Sequence, residues 1–322
     1  MYDLISIGSI TKDVFIISDR GKIFETPKDK LAPEWLGFEL GEKICIEKIV
    51  ENIGGVATNV ALGAKKMGLI SAPLGIIGKD PNGEWLLSAL KEEKVKSSLI
   101  KVVVGRKSPI STLIVDKKTG ERVIFFEKSS GEIDLNEFSK VRTKSLFVSS
   151  LTGNCAKQIG IFLDYAEKYG AQLIASPSTS QIMKDWKNLK ILLAKSEMLF
   201  LNRNEAIEMA VREKQRGASI ESLMKFLHKL GPKIVCITDG VNGANCSDGK
   251  KMYHAPIQKV KTVEMTGAGD AFAAGFLGFY LNKDSDLKTS LRAGIINSAS
   301  VVQYIGTTKG LLTKKEILSK MK

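Results

Sequence analysis

Two kinds of apolar pattern alternate along this chain. The first is a short run bounded by glycine or polar residues: DLISIGS at 3–9, ICIEKIV at 44–50, the stretch 72–78, SLFVSS at 145–150, AQLIAS at 171–176, MLFLN at 198–202 and KIVCIT at 233–238. Runs of this length, rich in aliphatic and β-branched residues, predict buried strands. The second kind spaces its apolar residues every three or four positions. It predicts helices after Gly54 and Gly55, from the GKDPNG turn to about Glu93, and over 156–170, 180–193, 204–214 and 221–230. Strands alternating with helices predict an α/β fold: a mostly parallel central sheet covered by helices on both faces, with ligands beyond the strand carboxyl ends.

Residues 99–126 change character. LIKVVVGR, ISTLIVD and ERVIFF are β-rich, carry a Lys-Thr-Gly turn at 118–120, and have no helix between them. This group predicts a small sheet beside the main domain. With parts of 12–50 it makes a β-rich lid, formed within a single domain over 1–322 by parts of 12–50 and 99–126.

Composition narrows the classes. The 322 residues are 43% hydrophobic, enough for a substantial core, which excludes a chain disordered throughout. No apolar run approaches the ~20 residues of a membrane span, and MYDLISIGSITKD lacks the basic start and continuous apolar stretch of a signal peptide, so the expectation is a cytoplasmic protein with no membrane partner. Cys45, Cys155, Cys236 and Cys246 form no CxxC pair, and His228 and His254 are the only histidines, which argues against a zinc module and against histidine-dependent catalysis. The net charge of +13 is spread over scattered lysines. Without a zinc finger, an aromatic RNA-binding strand or a long basic arm, no nucleic-acid partner is expected.

The densest chemistry lies in VEMTGAGDAFAAGFLGFYL at 263–281. Thr266, Gly267, Ala268 and Gly269 form a small-residue turn before Asp270 and a helical run. Backbone N–H groups at such a helix start can face a phosphoryl group, and Asp270 could accept a proton from an attacking hydroxyl. The same residues serve equally as an ordinary N-cap and turn. GxxxxGK[ST] is absent and no opening GxGxxG follows a first strand, which disfavours a P-loop NTPase and a dinucleotide fold.

Two separated motifs, IGGVATN at 53–59 and TGAGDAFAAG at 266–275, occur in order with GSITKD at 8–13, LNRNE at 201–205 and TDGVNG at 238–243. In these the chain closely resembles the ribokinase-like, or PfkB, family of carbohydrate and nucleoside kinases, over nearly its whole length. The resemblance implies a ribokinase-like fold and transfer of the ATP γ-phosphate to a sugar hydroxyl, commonly the primary one. It implies Asp270 as catalytic base and the amides of Gly267, Ala268 and Gly269 as anion hole. Asp13, Gly54, Gly55 and Asn59 match substrate-facing positions. Asn202 and Glu205 match an N-x-x-E element associated with Mg2+ and phosphate, with Glu205 acting through water; the spacing is also that of a capping box. Thr238, Gly240 and Gly243 match the nucleotide-side turn, and Asn297 resembles a residue near the adenine.

Glu264 and Met265 depart from the Asp and Thr of many relatives. Glu264 keeps a carboxylate and Thr266 a hydroxyl, so potassium remains an expected cofactor beside ATP and Mg2+ in this monovalent-cation region. A sugar substrate is expected ahead of a nucleoside, with a noncatalytic nucleotide or sugar sensor as the remaining class. Arg106 or Lys107 could meet a substrate phosphate, and Phe15, Phe24 or Trp35 could stack on a base. Exposed lid strands make a homodimer a further expectation.

Overall fold

The computed structural model describes residues 1–25, 34–127, 138, 140–215, 217–282 and 286–321. Of the predicted lid, 26–33 therefore lies outside the described residues. The strands are β1 (Tyr2–Ile7), β2 (Thr11–Ser18), β3 (Lys22–Glu25), β4 (Glu34–Gly37), β5 (Lys48–Gly54), β6 (Ser71–Gly78), β7 (Ile100–Val103), β8 (Ile110–Asp116), β9 (Arg122–Phe126), β10 (Thr143–Val148), β11 (Gln172–Ala175), β12 (Met198–Asn202), β13 (Ile234–Thr238), β14 (Ala244–Ser247) and β15 (Met252–Ala255). The helices, numbered among the described residues, are α1 (Val56–Lys66), α2 (Pro81–Glu92), α3 (Cys155–Tyr169), α4 (Thr179–Lys184), α5 (Trp186–Leu193), α6 (Arg203–Arg212), α7 (Ile220–Lys229), α8 (Ala268–Tyr280), α9 (Leu287–Val301) and α10 (Lys314–Met321).

A nine-stranded sheet forms the body, in the order β15-β14-β13-β12-β11-β10-β1-β6-β7. It is parallel from β7 to β13 and ends in the antiparallel pairs of β14 and β15. Successive residues of β1 serve opposite faces, as the pleat requires. Ile5 and Ile7 join the core under α3, with Phe162 and Tyr165. Leu4 joins the core under α8, where Phe272 and Phe276 pack with Phe200. This is the predicted mostly parallel sheet with two covered faces.

Three local predictions differ in detail. The 99–106 run does not belong to the small sheet: β7 pairs in parallel with Gly75–Gly78 of β6 after the α2 crossover, so it closes the edge of the large one. The helix predicted over 180–193 is broken at Asp185, whose φ of −135° is non-helical and whose carboxylate accepts from Asn188 Nδ2 at 2.6 Å. The strand predicted at 44–50 begins at Lys48 and runs on to Gly54.

The small sheet is β5-β2-β8-β9, separate from the large one, and β3-β4 forms its own ribbon. Phe15, Ile17, Leu113 and Val115 give the small sheet a buried cluster of its own. Asp80 anchors it to the body. Its Oδ1 accepts from Gly83 N at 2.8 Å, capping α2, and from Ser108 Oγ at 2.6 Å, while its Oδ2 accepts from Ser108 N at 2.8 Å just before β8. One side chain thus caps a helix of the body and fixes the entry to the small sheet. Asp80→Ala should cost about 2 kcal/mol, the sum of a lost cap and a lost loop anchor; urea denaturation checks it, and a midpoint equal to wild type counts against the anchor.

Candidate active site

The site begins with how closely two helices approach. A Cβ on Gly63 of α1 would lie 2.5 Å from Cβ of Ala274 on α8, so only glycine lets the pair pack at this distance. One turn away, Asn59 of α1 reaches Asp270 of α8: Nδ2 donates to Asp270 Oδ2 at 2.7 Å. The Thr307 hydroxyl lies 2.9 Å from both Asn59 Oδ1 and the Ile53 carbonyl. Because a carboxylate only accepts, this arrangement fixes which way the Asn59 amide points.

Gly267 precedes α8 with φ +81°, and a Cβ there would meet Thr307 at 2.9 Å, so the turn and the relay share one tight contact. The first N–H groups of a helix have no partner within it; Asp270 stands in the first turn, and Ala268 N donates back to the Met265 carbonyl at 3.3 Å. Gly269 is exposed, and a Cβ on it would enter open space. Burial pushes the Asp270 carboxyl up to about 6, against the lowering effect of the Asn59 hydrogen bond.

Asp13 lies within β2 and is buried. It accepts from Thr11 Oγ1 at 2.7 Å. Its carboxylate lies on the backbone of Gly54, where a Cβ would come within 1.8 Å of Oδ2, which explains the first glycine of the IGG motif. Gly55 has φ +89° and approaches the Ser9 carbonyl. Burial, with added repulsion from Asp270 and Glu264, pushes Asp13 up to about 6 despite bonds from Thr11 and Ser111. Two acidic groups within electrostatic reach are both held at the edge of ionisation, a condition concentrated at functional sites.

A cleft opens beside Asp270 and Gly269 and is lined by Asn202, Glu205 and Thr238. Asn202 and Glu205 form the full capping box: Asn202 Oδ1 accepts from Glu205 N, and Glu205 Oε2 accepts from Asn202 N, each at 2.9 Å. Burial raises the Glu205 carboxyl, partly offset by the Asn202 N–H and Thr179, with Asp270 adding to the rise. Ser150, Ser176 and Ser178 complete the hydroxyl side of the cleft. The sequence reading missed these serines. Each follows the end of β10 or β11, where the strand-end rule for parallel sheets points.

Other candidates fall elsewhere. Gly243 has φ +83° and would strike the Ala255 carbonyl with a Cβ at 2.1 Å, while Gly240 has no such neighbour. Asn297 is fully buried between helices, its Nδ2 donating to Ala271 O at 2.7 Å and its Oδ1 accepting from Leu312 N at 3.0 Å; it does not line the cleft. Phe15 is buried in the small-sheet core, Phe24 and Trp35 are exposed register partners on the β3-β4 ribbon, and Arg106 and Lys107 are exposed beyond β7. Glu264 is wholly buried, and its Oε1 accepts from Thr266 N at 2.6 Å and from the Thr266 hydroxyl.

Among the described residues no group of three or more His, Cys, Asp or Glu could hold a metal, and no helix is long and apolar enough to cross a membrane. The donor set fits magnesium carried by nucleotide phosphates and water, with Glu205 as a carboxylate facing the cleft. Among the described residues, a cage of protein ligands does not fit.

These features stand on a ribokinase-like fold. A sequence profile of the pfkB family carbohydrate kinases matches residues 31–314, and the chain belongs to that family: it is an ATP-dependent kinase. It is 26% identical over 318 residues to the ATP-dependent 6-phosphofructokinase of Thermoanaerobacterium thermosaccharolyticum, covering 95% of this chain and 89% of that protein. The Arabidopsis thaliana ribokinase complexed with ribose and ATP superposes with a TM-score of 0.80 at 19% identity, over 100% of this chain and 99% of that one. The Burkholderia thailandensis nucleoside kinase in complex with inosine gives 0.76 at 16% identity, over 98% and 97%.

Keeping Asp13 ionised in a buried place costs stability, and the sign follows from its raised value. Near pH 7.5 the carboxyl is charged both folded and unfolded, and the folded state bears the desolvation cost; below the ordinary 3.8 it is protonated in both and the cost disappears. Asp13→Asn should therefore be more stable than wild type by about 1–2 kcal/mol at pH 7.5, with the gain fading as pH falls from about 6 toward 4. Melting temperatures across that range check it, and a gain independent of pH would refute it.

Proposed function

We propose that this kinase transfers the γ-phosphate of ATP to a hydroxyl, the primary one, of a sugar. The carrying observation is Asp270, oriented by Asn59 and Thr307 beside the first-turn amides of α8 and poised to titrate near 6. In this reading the ionised carboxylate takes the proton of the acceptor hydroxyl as its oxygen attacks the γ-phosphorus. The amides of Gly267, Ala268 and Gly269 receive the charge on the transferring phosphoryl oxygens. Asp13 and Asn59 hold neighbouring sugar hydroxyls, and Gly54 and Gly55 let the sugar approach the backbone.

The nucleotide lies in the cleft, with Asn202, Thr238 and the three serines on its phosphate side and the Gly240–Gly243 turn beyond. Glu205 would order the water around magnesium bound with the nucleotide, and the metal would supply charge neutralisation at the phosphates. Potassium would act through Glu264, whose Oε2 has no hydrogen-bond partner among the described residues, and Thr266. The small sheet serves as the lid that excludes water. Its exposed Ile49, Val123 and Phe125 share a face by register and offer a surface for a homodimer. The four free cysteines suit the cytoplasm, where this reading places the protein.

A nucleoside acceptor is the second reading, supported by one feature. Phe126 is paired with Ser111, and Ser111 with Asp13, so Phe126 shares Asp13's face of the small sheet, and it is 62% exposed. An aromatic ring there could stack on a base.

Mass detection of products from free sugars, sugar phosphates and nucleosides, with magnesium and with potassium or sodium, decides among these readings. One phosphorylated class selects the acceptor; ATP binding with no product from any class supports a sensor. With the acceptor known, Asp270→Asn should lower kcat by about 10²–10⁴-fold while leaving the fold and nucleotide binding intact. Wild-type kcat should fall on the acid side of pH 6, as Asp270 becomes protonated. A folded Asp270→Asn protein with near-normal turnover removes the base assignment.

A further inference from the structure

The lid and the catalytic turn meet at a buried charge. Glu264, two residues before Thr266, is wholly inaccessible to solvent. Its Oε1 gathers the backbone N–H and the hydroxyl of Thr266. Arg122, the first residue of β9 in the small sheet, brings its Nε to 3.3 Å from the same oxygen and donates to Thr266 Oγ1 at 2.8 Å. The hydrogens balance: the hydroxyl gives its one hydrogen to the carboxylate and receives another from the guanidinium. Arg122 is 144 residues from Thr266 in sequence, so nothing local holds them together.

The hairpin carrying Arg122 touches the same segment a second time. At Gly120, φ +74°, a Cβ would lie 2.9 Å from the Val263 carbonyl, so the turn between β8 and β9 sits on the backbone leading into Glu264. From the other side, Val263 and Glu264 both donate to the Val302 carbonyl, at 2.8 and 3.2 Å. The 263–266 segment is thus clamped between the small sheet and the end of α9. Gly267, the residue that opens the anion-binding turn, comes next.

We propose that Arg122 is a positioning residue: it latches the small sheet to Thr266 and thereby fixes the alignment of the Gly267–Gly269 amides for phosphoryl transfer. The inference rests on the kinase reading for its catalytic consequence, and on geometry alone for the latch. An Nε–H shared between a hydroxyl and a buried carboxylate is directional, and a lysine, which has no Nε–H part-way along a planar group, does not reproduce it. Docking of the sheet and readiness of the amides become one event.

The test uses the full chain in four forms: wild type, Arg122→Ala, Arg122→Lys, and Arg122→Ala combined with Glu264→Gln. The last removes the buried charge that Arg122→Ala leaves unpaired, and so guards against simple misfolding. Hydrogen–deuterium exchange should show amides 264–269 exchanging about tenfold faster in both alanine-containing forms, with the strands of the large sheet unchanged. With the acceptor identified, kcat should fall about 100-fold in both, with nucleotide affinity little altered, and added methylguanidinium should recover turnover in Arg122→Ala. Arg122→Lys should fall between wild type and alanine.

Wild-type protection at 264–269 in the alanine forms overturns the latch. So does wild-type turnover in the double variant, because the guanidinium would then only neutralise Glu264. A wild-type protein that phosphorylates no acceptor refutes the kinase reading instead, and the exchange comparison still decides the latch.

Discussion

The close packing of α1 against α8 is the constraint from which the site follows. Gly63 facing Ala274 lets the helices approach until Asn59 can donate to Asp270. A side chain at that contact would separate the helices and withdraw the amide from the carboxylate. The carboxylate would then lose the bond that opposes burial and draws it toward ionisation. Gly267 plays the same part at the helix start, where its approach to Thr307 keeps the turn beside the relay. Small residues here are requirements of distance, and the polar chemistry depends on them.

Electrostatics then divides the site. Asp13 and Asp270 are both pushed up to about 6, each chiefly by burial and Asp13 also by repulsion from Asp270, whereas Glu264, wholly buried, has an arginine beside it. The first two accept hydrogen bonds from neutral side chains, Thr11 and Asn59. The third is paired within the protein. Raised carboxyls without a paired cation concentrate at functional sites, whereas Glu264 has its charge matched within the protein.

Much of this was legible in the sequence because it is local. Strand and helix periodicities gave the parallel sheet, the IGG and TGAGD runs marked the turns, and the N-x-x-E spacing gave the capping box found at Asn202 and Glu205. What stayed hidden depends on partners distant in the chain. The 99–106 run looks like its β-rich neighbours, and only its parallel pairing with β6 shows that it belongs to the large sheet. Arg122 reads as one more surface cation until Glu264 is seen beneath it. Ser150, Ser176 and Ser178 carry no motif, and their meaning comes from standing at strand ends around one cleft. Asp185 breaks a helix whose apolar spacing runs through it unchanged.

The relay through Asn59 has a consequence for how the protein acquires its site. Asn59 is 211 residues from Asp270 and 248 from Thr307, so each of its two side-chain bonds closes a loop spanning most of the chain. Such contacts carry a large closure entropy and form slowly compared with helices or adjacent strands. Asp13 and Gly54 come together through the pairing of β2 with β5 and β8, all within the first 116 residues, whereas the hydrogen-bonded centre needs α8 and Thr307 as well. The centre around Asp270 is therefore complete only once the segment from α8 to Thr307 has packed against α1.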